Sequence, residues 1–133
     1  MAEFFSQKQV DKLFTCDQRL VQLCTEARKK IPFVIVCGYR GKEEQNEAFK
    51  NKKSKLQFPN SKHNHRPSLA VDLVPTNNGI ISWIDRDAFR ELAKVMLETA
   101  GELGIKIRWG GDWDMDGVEN VKGLIDLPHY ELI

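Results

Sequence analysis

The chain has 133 residues, of which 41% are hydrophobic and 29% charged, the profile of one ordinary globular domain with a real core rather than of a disordered or fibrous chain. No run approaches the ~18 apolar residues that a membrane span needs, and the first residues lack the basic and apolar regions of a secretion signal, so synthesis in the cytoplasm without membrane insertion is expected. The formal net charge is only +1, yet residues 28–66 hold eleven Lys/Arg against three Asp/Glu; with no interleaved aromatic residues and no nucleic-acid module, that basic stretch reads either as a patch for an anionic surface such as phospholipid or a cell wall, or as a solvated helix end and loop carrying Lys50, Lys52, Lys53 and Lys55, and not as a nucleic-acid site.

From Ser6 to Lys30, apolar residues at Leu13, Cys16, Leu20, Leu23, Cys24 and Ala27 recur at helical spacing, with Ser6 as cap and Pro32 as terminator. The three cysteines, Cys16, Cys24 and Cys37, sit among apolar neighbours and read as small buried hydrophobes. The β-branched run Phe33–Gly38 predicts a buried strand, and residues 43–50 a second helix. In the strand expected over Leu69–Val74, Ala70, Asp72 and Val74 share one face, which places a carboxylate in the middle of a strand. The longest helix is expected over Asp85–Leu103, with Phe89, Leu92, Ala93, Met96 and Ala100 as its stripe and Gly101 and Gly104 at its end. Strands at Ile105–Trp109 and His129–Leu132 complete an α+β fold with a small antiparallel sheet.

All three histidines lie in two segments, Ser61-Lys-His-Asn-His65 through Asp72 and Asp126-Leu-Pro-His129. Zinc favours imidazole nitrogen and carboxylate oxygen, and a catalytic zinc keeps three protein ligands with a fourth position open. Asp72 and His129, on strands of matching parity, supply two ligands, and the loop before Asp72 offers His63 or His65 as the third. Asp126, three residues before His129, is placed to act as a general base on the attacking water.

These ordered motifs resemble the zinc D,D- and L,D-peptidases grouped with the D-alanyl-D-alanine carboxypeptidases. Ser61-Lys-His63, Ala70-Val-Asp72 and Asp126-Leu-Pro-His129 match that family's pattern, and the resemblance runs from about Gly38 to Leu132. Gly38-Tyr-Arg40 with Gln45, and the Arg108-Trp-Gly-Gly-Asp-Trp113 block, are similar to the phage endolysin branch, whose members cleave between L-alanine and D-glutamate in peptidoglycan stem peptides. The resemblance implies a hedgehog/D,D-peptidase-like fold with helices packed on one side and the zinc site on the sheet face. It further implies zinc on His63, Asp72 and His129, Asp126 as base, and Arg40 steadying the polarised carbonyl oxygen. In one respect the chain departs from the pattern: the usual interval of seven residues to the aspartate fits His65, whereas His63 stands nine away. His63 matches the front of the motif, with Pro67-Ser68 as an inserted pair, and His65 remains the alternative.

Asp112, Asp114 and Asp116 followed by Gly117 repeat the acidic spacing of a calcium loop, although Gly123 stands where a bidentate glutamate is expected. Trp109 and Trp113 are candidates either for a substrate groove or for the core. The resulting expectation is a single catalytic domain over residues 1–133 without a separate wall-binding domain, acting as a monomer on peptidoglycan stem peptides. Reaching the wall from the host cytoplasm would require a holin-type partner that permeabilises the membrane. A D-alanyl-D-alanine carboxypeptidase and a non-catalytic zinc-containing binding module are the alternatives.

Overall fold

A computed structural model describes residues 5–81, 83–117 and 125–133. Four helices, α1 (Gln7–Leu13), α2 (Gln18–Arg28), α3 (Lys42–Lys50) and α4 (Arg86–Leu103), accompany five strands, β1 (Phe33–Cys37), β2 (Ala70–Asn77), β3 (Ile80–Ile81), β4 (Ile107–Trp109) and β5 (His129–Leu132). The sheet is antiparallel in the order β1-β2-β5-β4, with β3 paired to β2. This is the expected α+β architecture.

The helix predicted over Ser6–Lys30 is two helices. Ser6 caps α1 through Gln9 N–H, and Asp17 caps α2 through Arg19 N–H. Between them the chain is diverted by backbone hydrogen bonds to Ser68, which donates to the Thr15 carbonyl and accepts from Asp17 N–H, each at 2.9 Å. Both helices bury the same stripe, so apolar periodicity alone runs through the break, while Asp17 supplies the stronger local signal of a helix start.

β2 also runs past its predicted end at Val74 and turns into β3 through Asn78 and Gly79, with φ of 54° and 80°. Positive φ at both central residues is the geometry of the tight hairpin turn that Asn-Gly favours. At the far end of α4, Gly104 takes φ 70° and its N–H donates back to the last turn, as expected of a glycine helix stop.

Strand periodicity divides the sheet chemically. Val71, Leu73, Tyr130, Leu132, Ile107 and Trp109 enter one core with Leu20, Leu23 and Ala27 of α2 and Phe89, Leu92 and Met96 of α4. Truncating one of these fully buried leucines to alanine should cost about 2–5 kcal/mol. The opposite face carries Asp72 paired with His129, and Glu131 paired with Arg108. An irregularity between Ile35 and Cys37 shifts the β1 register so that Cys37 pairs with Asp72, re-aiming the end of the strand as a bulge does. The core thus holds the strands from one side while polar residues collect on the other.

Candidate metal centre and active site

His63 sits in a 3-10 turn, Lys62–Asn64, whose entry is fixed by a reciprocal cap: Ser61 Oγ accepts from His63 N–H, and Asn64 Oδ1 accepts from Ser61 N–H. This turn carries the His63 imidazole over the polar face of the sheet. Its Nε2 lies 3.2 Å from Asp72 Oδ1 and 3.3 Å from His129 Nδ1, and His129 Nδ1 lies 3.3 Å from the same Asp72 oxygen. Three potential ligand atoms therefore form a nearly equilateral triangle.

The remaining nitrogen of each imidazole is engaged from behind. His63 Nδ1 donates to the Gly38 carbonyl at 2.8 Å, and His129 Nε2 donates to Glu131 Oε1 at 2.8 Å. Those partners fix the tautomers that leave His63 Nε2 and His129 Nδ1 free to bind a cation, the usual supporting arrangement behind a metal-bound histidine. Zinc bonds of about 2.0–2.2 Å give a regular tetrahedron edges of about 3.3–3.6 Å, which the triangle matches. The donor set and its geometry fit zinc.

Electrostatics agree with a site that demands positive charge. Burial favours neutral His63, but the adjacent Asp72 charge and hydrogen bond prevail and raise its pKa to about 10. His129 is raised too: burial opposes the shift, and Asp72 and Glu131 overcome it. Asp72, despite burial, is held well below the usual carboxylate range by the two histidines. Without a metal, protons take the place of the cation.

Asp126 Oδ2 stands 4.0 Å from His129 Nδ1, at the edge of the triangle. Burial and then the Asp72 charge push its pKa upward, against His129, His63 and Arg40. The turn that bears it is clasped to the end of β4: Asp126 N–H donates to the Gly110 carbonyl at 3.0 Å, and Gly110 N–H donates to the His129 carbonyl at 2.8 Å. Arg40 comes from the β1 side, donating to Asp72 Oδ2 at 3.4 Å and to Gln45 Oε1 at 3.0 Å. His63, Asp72, His129, Asp126 and Arg40 all line one cleft of about 630 Å³.

The histidine alternatives separate in space. His65 is exposed after the 3-10 turn and does not join the triangle; Ser68 is buried against the start of β2. The tryptophans separate likewise. Trp109 is a core residue donating from Nε1 to the Leu127 carbonyl, whereas Trp113 lines the cleft with its ring 5.4 Å from that of His129.

Asp112, Asp114 and Asp116 converge closely enough to meet one cation. Asp112, whose carboxyl pKa is raised by burial and by its acidic neighbours, accepts from the Asp116 and Gly117 backbone N–H groups. Gly123, the twelfth position of the calcium-like spacing, lies outside the described residues.

The model of the phage L-alanyl-D-glutamate peptidase family matches residues 1–133. The chain belongs to this family. It is 34% identical over 134 residues to the L-alanyl-D-glutamate peptidase of Escherichia phage T5, with 97% of each chain covered. The crystal structure of the Serratia marcescens L-Ala D-Glu endopeptidase ChiX matches with a TM-score of 0.79 at 28% identity, covering 97% of this chain and 89% of that one.

In this family member, three supporting residues stand beside those anticipated. Glu131 holds His129 and is itself held by Arg108 at 3.0 Å; burial opposes its ionisation, but His129 and Arg108 lower its pKa to about 2. Its place two residues after His129 on the same strand face is a signal already present in the sequence. Cys37, expected as a fully buried hydrophobe, is only partly buried, with Sγ 3.9 Å from His63 Nδ1. That nitrogen already serves Gly38, while the thiol also lies close enough to His63 and Asp72 for the three to meet one cation. Gln45 is fully buried: its Oε1 accepts from Arg40 and Asn64, and its Nε2 donates to Ser54 Oγ and the Leu56 carbonyl.

Proposed function

We propose that His63, Asp72 and His129 hold a zinc ion with which this chain hydrolyses the L-alanyl-D-glutamate bond of peptidoglycan stem peptides, as an endolysin. The observation that carries the reading is the triangle of ligand atoms 3.2–3.3 Å apart, each imidazole braced from behind, in a member of the phage L-alanyl-D-glutamate peptidase family.

Zinc bound there supplies Lewis acidity, polarising the scissile carbonyl and lowering the pKa of a water from 15.7 toward about 7. The chain's own groups do the rest. Asp126, beside the triangle and partly withdrawn from solvent, takes the proton from the attacking water and returns it to the leaving amine. Its raised pKa brings it closer to neutral pH, where one carboxyl can serve in both directions. An arginine has five donors, and two contacts to Asp72 and Gln45 orient Arg40 while leaving donors for the carbonyl oxygen as negative charge develops. Trp113, against His129, covers one side of the site and limits water there.

The catalytic domain acts as a monomer, and a holin-type partner gives it access to the wall from the host cytoplasm. Among the described residues no helix is long and apolar enough to cross a membrane. Mass spectrometry of purified peptidoglycan after digestion by zinc-loaded protein, with Asp126→Ala as control, tests the reading. Peptides beginning at D-glutamate support it. Release of D-alanine alone would replace it with a carboxypeptidase, and no zinc-dependent product from any wall type would leave a binding module.

A further inference from the structure

Five cationic side chains line the cleft: Arg40, Lys53, Lys55, Lys62 and Arg108. Three of them are committed within the protein. Arg40 donates to Asp72 and Gln45, Arg108 to Glu131, and Lys62 to the Leu132 carbonyl beside Glu131. Lys53 and Lys55 are different, since their ammonium groups meet no acceptor among the described residues.

The segment that presents these lysines is built, not loose. Helix α3 ends with Lys52 at φ 61°, and the Lys53 and Ser54 N–H groups both donate back to the Ala48 carbonyl, at 2.8 and 3.1 Å. The next turn is pinned by buried Gln45, whose Nε2 donates to Ser54 Oγ at 2.9 Å and to the Leu56 carbonyl at 2.6 Å. Gln45 also holds Arg40, so one buried amide sets the lysine wall and the arginine relative to each other. The wall stands on the α3 side of Asp72, while Asp126 and Trp113 approach from the β4 and β5 side.

We propose that Lys53 and Lys55 form the subsite that reads the free carboxylate of the glutamate residue on the leaving side of the scissile bond. The proposal rests on the L-alanyl-D-glutamate reading of the site. A glutamate within a peptide uses one of its two carboxyl groups in the chain and leaves the other ionised, whereas alanine on the opposite side of the bond has no charge. Two uncompensated ammonium groups in a concave site attract that carboxylate and reject a neutral amide in its place.

The test compares two N-acylated peptides, L-Ala-γ-D-Glu-L-Lys and the same peptide with the free glutamate carboxyl converted to its amide, by kcat/KM with zinc-loaded protein. The wild type should prefer the acid by about tenfold, the size expected of two partly solvated charge pairs, and the preference should shrink as salt rises. In the Lys53→Met/Lys55→Met double variant the ratio should fall toward one, and in Lys53→Arg/Lys55→Arg it should persist. Equal rates for both peptides in the wild type, an undiminished ratio in the methionine variant, or loss of both peptides alike in that variant would overturn the subsite. Failure of the wild type to cleave either peptide would remove the endopeptidase reading itself.

Discussion

His63 Nε2 and His129 Nδ1 face each other at 3.3 Å while each ring donates from its other nitrogen. In neutral imidazoles with those tautomers, two lone pairs point into the same small space, an arrangement that needs a cation to be favourable. In the metal-free protein that cation is a proton, and the pKa of about 10 for His63 shows how strongly Asp72 draws it in.

Zinc must displace those protons to bind, because only the unprotonated nitrogens are ligands. The sign follows: the His63 pKa is raised to about 10, so at neutral pH the metal-free His63 is protonated and loading releases its proton. Apparent zinc affinity should therefore climb with pH from about 6 toward 10. Calorimetric titration with zinc in buffers of different ionisation enthalpy measures the release directly, and proton-independent binding across that range would contradict the triangle as the metal site.

His63→Ala should abolish stoichiometric zinc binding at micromolar metal, since it removes one of three protein ligands. His65→Ala should leave zinc content unchanged, because the ring is exposed outside the site. Metal analysis of both dialysed proteins decides between the two histidines, and the reverse pattern would transfer the ligand to His65.

Asp126→Asn should keep zinc at one equivalent while lowering kcat by roughly 10²–10⁴-fold, the usual contribution of a positioned general base. Its carboxylate is 4.0 Å from His129 Nδ1 and outside the ligand triangle, so metal content and rate should separate. A variant that loses zinc and rate together would make Asp126 a ligand instead.

Much of this site can be read from the sequence because it lies on strands. The alternation that puts Asp72 opposite Val71 and Leu73 also puts His129 and Glu131 on one face, and the antiparallel register then brings Asp72 and His129 side by side. Extending that parity by two residues would have exposed Glu131 as the brace of His129. The break between α1 and α2 is not in the apolar pattern, because it is imposed by Ser68, 51 residues after Asp17 in the chain. Likewise, no local rule connects Gln45 with Ser54 and Leu56; only the folded loop brings buried donors and acceptors together. The Asn78-Gly79 turn, by contrast, is a local signal of a hairpin that the strand boundary at Val74 left out.

Gly110→Ala should damage catalysis from outside the ligand set. A Cβ at Gly110 would meet the Asp126 carbonyl oxygen, with the carbonyl carbon at 2.9 Å and Cβ of Asp126 at 3.0 Å. Backbone cannot yield as a flexible side-chain end can, so the turn bearing Asp126 must move, loosening both Gly110 hydrogen bonds that clasp it to the end of β4. The expected cost is about 1–3 kcal/mol of stability from overpacking, together with a fall in kcat that approaches 10²-fold if the carboxylate shifts by about 1 Å. Zinc content should stay near one equivalent, since His63, Asp72 and His129 keep their own supports. Thermal melting, metal analysis and kcat on the same preparation check the three together, and wild-type kcat in this variant would show that Asp126 does not depend on the Gly110 clasp.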